Sequence, residues 1–99
     1  MRIGPPPDAV PYKRTPSFTE ENVPAGLLAD HDTKEGTWGL IVVEKGQLRY
    51  IVGDPRRPRS ERILTPDTDP GVVEPTVRHR VAPLGVVRFH VEFLRIPTP

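Results

Sequence analysis

Proline limits this chain more than any other residue: fourteen of the 99 positions are proline, and eight more are glycine. A proline inside a helix costs roughly 3 kcal/mol, which excludes a helical bundle or a coiled coil. Short strands joined by turns remain. The length suffices for one small domain, and 35% apolar residues suffice for a single thin core. Lys and Arg number 14 against 13 Asp and Glu, a net charge of +1. No global field therefore steers nucleic acid or an anionic membrane toward the chain. Cysteine is absent, so there is no disulfide framework, thiolate nucleophile or cysteine metal site. A domain this small needs a compact core, a metal or a partner subunit. Residues 1–7 lack the apolar core of a signal peptide. No apolar run approaches the ~18 residues of a membrane span. A cytoplasmic protein without membrane or nucleic-acid partners is expected.

Residues 1–10 read as an extended, Pro-rich arm, and 11–99 as one domain. After Pro24, residues 26–29 suggest a short strand. Residues 37–43 (TWGLIVV) are β-branched and aromatic, and apolar on both sides of the alternation. They predict a strand buried on both faces. Glu44-Lys45-Gly46 predicts a tight turn with Gly46 at positive φ, and 47–52 a returning strand, together a β-hairpin. Residues 53–60 form a loop, 61–65 a strand, and 66–71 are turn chemistry throughout. Strands at 72–74 and 78–81 flank a turn at Pro75-Thr76, and Pro83-Leu84-Gly85 turns again. In the last strand, 86–96, the odd positions Val87, Phe89, Val91 and Phe93 are apolar, whereas Arg88, His90 and Glu92 are polar. One face belongs in a core and the other toward solvent, a partner or a polar pocket. About six to eight short strands with no helix imply an all-β sandwich or barrel.

Several segments resemble the TehB/YeaR-like domain family. They are residues 11–16 (PYKRTP), 31–39 (HDTKEGTWG), 42–50 (VVEKGQLRY), 70–81 (PGVVEPTVRHRV) and 87–93 (VRFHVEF). The resemblance implies a small cupin-like, jelly-roll β-sandwich. In some family proteins this domain precedes a methyltransferase that contributes to tellurite resistance; in others it stands alone. No glycine-rich nucleotide motif is present here, so neither a methyltransferase activity nor a nucleotide cofactor carries over. In the wider cupin pattern His79 falls at the ligand position of the second motif and His31 near the first. Thr33 stands where a paired histidine belongs, and Gly39 where the glutamate does.

From the matched segments, His31, His79 and Glu74 are the candidate metal ligands, with Glu92 in reserve. Two imidazoles and a carboxylate suit Zn, Ni, Mn or Fe with open positions. The alternative is that both histidines are ordinary polar residues at strand ends. Trp38 and Tyr50 are candidate pocket residues, Trp38 stacking on a ligand and Tyr50 offering its hydroxyl. Against this, Trp38 also reads as a core aromatic beside Leu40. His90 is expected at solvent or at an interface. The cluster Arg56-Arg57-Pro58-Arg59 reads as a solvated loop rather than a phosphate contact, given Asp54 and Glu61 nearby. Neither Ser17 nor Ser60 has a nucleophile's context.

Edge strands and a thin core favour a homodimer, with Leu94 and Ile96 as contact residues. The function expected is a stress-related domain binding a metal ion, a small molecule or an oxyanion, without strong catalysis. Two alternatives stand beside it. One is a metal-dependent dioxygenase- or isomerase-type enzyme acting on a small polar substrate. The other is a metal-free dimeric interaction module.

Overall fold

The computed structural model describes residues 4–97. Residues 1–3 of the expected arm lie outside the described residues. In chain order the elements are β1 (Val10–Arg14), β2 (Phe18–Thr19), α1 (Ala25–Leu28), β3 (Thr37–Val52), β4 (Ser60–Leu64), β5 (Gly71–Val73) and β6 (His79–Arg95). All pairings are antiparallel, and the sheet runs β1-β6-β3-β4, with β2 on β6 and β5 on β3. This is an all-β sandwich.

Two long strands organise it. β3 and β6 pair from Thr37↔Arg95 to Val52↔His79. A straight strand of 16 residues would run more than about 50 Å, yet the longest dimension of the domain is 43 Å. Both strands therefore bend, and the bend divides the sheet into two packed layers. One layer holds residues 37–43 of β3 and 89–95 of β6, flanked by β5 and β1. The other holds residues 48–52 of β3 and 79–83 of β6, with β4 at its edge.

The expected hairpin at Glu44-Lys45-Gly46 does not form. β3 passes straight through it, with register shifts at Val43/Lys45 and Gly46/Leu48. Gly46 has positive φ (79°) as expected, but it serves a β-bulge, not a chain reversal. The turn expected at Pro83-Leu84-Gly85 is likewise interior to β6, where Gly85 (φ 80°) lies in the opposing irregularity. A bulge and a tight turn ask for the same residue chemistry; the long β3–β6 ladder decides between them. Residues 26–29 also differ from expectation. Pro24 opens a one-turn helix there, with Leu27 N–H donating to the Pro24 carbonyl at 2.9 Å, and Leu27 packs on the core.

Phe89, Leu48, Leu64 and Val87 are fully buried at the centre of the core. Val87, Phe89 and Val91 are buried and Phe93 is half-buried, as the alternation in the last strand predicts. In β3, Gly39, Ile41 and Val43 are buried, but Trp38, Leu40 and Val42 are only half-buried. That strand is thus covered fully on one face, not on both. Leu94, expected at a dimer contact, is buried within the single chain.

His90, expected at solvent or at an interface, is buried within the single chain, on the side of β6 facing away from the core. Its Nδ1 lies 2.8 Å from Glu44, and Glu92 is 3.5 Å from its Nε2. Glu44 also accepts from Ser17 Oγ at 2.6 Å and Arg88 Nε at 3.1 Å. The Ser17 hydroxyl, followed by His90, holds the Glu44 carboxyl at about 2, below its ordinary 4.5. A carboxylate whose folded pKa is depressed adds stability above its unfolded pKa and loses it as pH falls toward the folded one. Glu44→Gln is therefore expected to be less stable than wild type at neutral pH. The two should converge between pH 4.5 and about 2. Urea denaturation across that range checks it, and a gap that stays constant refutes the assignment.

Candidate functional site

A cavity of about 590 Å³ opens between the two layers. Its floor is apolar and comes from alternate positions of the long strands: Ile41, Val81, Phe89, Val91 and Phe93, with Val73 of β5. Leu27 of α1 reaches it from one side, and the segment 31–34 borders it on another. At the polar end stand His31 and His79.

These histidines are locked together by the backbone. His31 N–H donates to the His79 carbonyl at 3.0 Å, and His79 N–H to the His31 carbonyl at 2.9 Å. Their rings lie 4.1 Å apart between centroids, tilted by 57°. Each Nδ1 faces a carbonyl two residues back, Ala29 for His31 at 3.2 Å and Val77 for His79 at 3.0 Å. A carbonyl only accepts, so each Nδ1 carries a proton, and in the neutral form of the ring Nε2 keeps its lone pair. His79 is 3% exposed. Burial pushes its pKa below the ordinary value, and the neighbouring His31 adds to that shift.

The surrounding loops brace this pair. Asp54, buried, accepts from the backbone N–H of Arg56 at 2.8 Å and of Arg78 at 2.9 Å, and holds the Arg56 guanidinium. The guanidinium, followed by the two N–H donors, pulls the Asp54 carboxyl far below the usual range. Arg56 continues to the Thr76 carbonyl at 2.5 Å, and Thr76 N–H donates to the Thr33 carbonyl at 3.1 Å. Thr76 takes a left-handed φ of 64°, a conformation that neighbours must hold for a threonine. The chain entering β6 at His79 is thereby fixed to two neighbouring loops.

Of the residues singled out from the sequence, His31 and His79 meet on the cavity wall. Glu74 does not join them: it pairs with Arg57 at 2.8 Å and is absent from the lining. Glu92 lies on the opposite side of β6 from the cavity-facing Val91 and Phe93. Among the described residues, no three His, Cys, Asp or Glu side chains converge as a metal site. Trp38 faces away from the cavity, since its neighbours Thr37 and Gly39 line it. Tyr50 sits behind the site. Its hydroxyl donates to the Val72 carbonyl at 2.9 Å, and its ring lies in a T-shaped arrangement with that of His79, 5.8 Å between centroids. Burial, then the Glu74 charge, push that phenol up, so it stays a donor. The arginine loop is exposed to solvent, as expected, and within it Arg56, Arg57 and Arg59 also pair with Asp54, Glu74 and Glu61. The cavity residues Phe18, Leu27, Thr33 and Val81 were not anticipated. Only the alternation at 87–93 pointed at part of the floor.

No helix among the described residues is long and apolar enough to cross a membrane. Relatives of known structure share the architecture. The crystal structure of TehB from Haemophilus influenzae superposes with a TM-score of 0.82 at 32% identity, over 91% of this chain and 32% of that one. A protein from Escherichia coli K12 superposes at 0.83 over 98% of this chain and all of its own, at 18% identity. That second likeness speaks to the fold alone. Two Haemophilus influenzae proteins, each named a probable S-adenosyl-L-methionine-dependent methyltransferase TehB, are 39% and 36% identical over 75 residues. The aligned segment spans 26% of their length. The TehB-like domain family matches residues 13–91, a stretch that holds the histidine pair and all of the cavity wall except Tyr12 and Phe93. By that match over most of its length, the chain belongs to the TehB-like domain family.

Proposed function

We propose that this domain is a small-molecule-binding module of a stress-related TehB-like protein, without methyltransferase activity of its own. The observation that carries the reading is the cavity: an apolar floor between two layers, ending at a braced imidazole pair. A concave, mostly apolar site with a few fixed polar groups is the usual form of a small-molecule site. In favour of a purely binding role, the 99 residues contain no glycine-rich nucleotide loop. The histidine pair supplies two imidazole donors where a zinc site takes three or more protein ligands. The donor set does not fit a resident zinc ion.

The test uses N-phenyl-1-naphthylamine, a neutral apolar fluorophore. Wild-type protein is expected to bind one equivalent. Val91→Phe, which fills the floor, and Leu27→Trp, which closes the side, should each weaken binding by about tenfold or more. Circular dichroism confirms that each variant is folded. No saturable binding, or equal affinity in both folded variants, overturns the reading.

A further inference from the structure

The polar end of the cavity is built with unusual one-sidedness. Both Nδ1 atoms are committed to backbone carbonyls, at Ala29 and Val77. Neither Nε2 donates to or accepts from a described residue. Neither is sealed from solvent: the buried side-chain nitrogens without a hydrogen bond are Arg49 Nε and His90 Nε2. Each of those faces a carboxylate elsewhere in the fold, Glu61 at 3.2 Å and Glu92 at 3.5 Å. The polar end of the cavity therefore carries two rings, 4.1 Å apart between centroids, each with an Nε2 that no described residue engages.

We infer that the ligand taken here is an uncharged molecule with an apolar body and a hydroxyl, phenol or N–H group that donates to the Nε2 of His31 or of His79. The inference rests on the binding role proposed above and names the ligand's chemistry. An anion would find Lys13 and Lys34 at the mouth, but at the polar end its lone pairs would face those of the imidazoles. Burial opposes the protonation of His79 that would relieve this. A cation is disfavoured at the mouth, where Lys13 and Lys34 outnumber Asp32, and by the loss of hydration over an apolar floor. A molecule without a polar end leaves two acceptors dry and unpaired. A neutral donor satisfies all three conditions. This also argues against the oxyanion ligand expected from the family resemblance.

The probes are 4-butylphenol, its methyl ether 4-butylanisole, and 4-butylbenzoate, which share an apolar body and differ in the head group. Binding is measured by calorimetry at pH 7.5, with a chelator present, on wild type, His31→Phe and His79→Phe. Wild type is expected to bind the phenol about tenfold more tightly than the ether or the benzoate. The variant that removes the accepting imidazole should bring the phenol down to the ether's level, and both variants should leave the ether unchanged. If His79→Phe fails to fold, the phenol-to-ether ratio of wild type still decides. Equal binding of phenol and ether overturns the donor inference and leaves the cavity reading standing. Tighter benzoate than phenol overturns it in favour of an anion. Phenol binding that appears only when the chelator is replaced by Zn²⁺ overturns it in favour of a metal. Failure of all three probes to bind overturns both.

Discussion

Phe89→Ala is expected to lower the unfolding free energy by about 3–5 kcal/mol, the largest effect of any single side-chain truncation here. Phe89 is completely buried and lies opposite Val43 in the β3–β6 ladder. Its ring meets Phe18 edge-on at 5.7 Å between centroids, an aromatic contact that adds to plain area burial. The site cannot collapse to fill the space, because the β3–β6 backbone on either side is fixed by its ladder. The new void also merges with the cavity, whose floor Phe89 forms. Small domains commonly hold only about 5–15 kcal/mol in total, so the variant stands near the edge of folding. Urea denaturation at neutral pH measures the loss. A loss below about 1 kcal/mol would mean that the core relaxes freely and that the cavity walls are soft.

Gly46→Ala should be nearly as damaging, at about 2–5 kcal/mol, for a backbone reason. A Cβ at Gly46 would overlap the Val86 carbonyl, and the φ of 79° already disfavours a side chain. Gly85 is the natural control. Its φ is 80°, but a Cβ there meets nothing within 4 Å. Gly85→Ala should therefore lose only the left-handed penalty, about 1–2 kcal/mol. Gly46→Asn separates the bulge from a turn. Asparagine tolerates left-handed φ in a hairpin turn, so a turn would accept it. In the bulge its Cβ meets the same carbonyl, and the variant should be as unstable as Gly46→Ala. Thermal and urea unfolding of the three variants, measured side by side, decide the matter.

Much of this molecule was legible in one dimension. Fourteen prolines removed helical architectures, and strand-forming runs around turn residues led to an all-β sandwich. The alternation of Val87, Phe89, Val91 and Phe93 named the core-facing side of β6 correctly, because the period of two is a property of the strand itself. Positive φ at Gly46 was also readable, since only glycine adopts it without strain.

What that φ accomplishes was not readable. A turn and a bulge need the same local chemistry, and the difference lies in whether a distant strand pairs straight through it. Gly46 lies against Val86 and Val87, some forty residues away. The site shows the same division. His31 and His79 were visible as candidates, but their backbone bridge joins residues separated by about half of the chain. Glu74 is close to His79 in sequence, yet an ion pair with Arg57 holds it off the cavity wall. Trp38 and Glu92 sit on the right strands but point to the wrong side, because alternation defines two faces without saying which one encloses the cavity. His90 read as a residue for solvent or an interface, since its burial depends on Glu44 arriving from β3. By itself the sequence determined the local conformations, which short-range sterics and hydrophobic periodicity impose. The tertiary structure alone decided which faces enclose space and which charges are neutralised, because both depend on contacts between residues far apart along the chain.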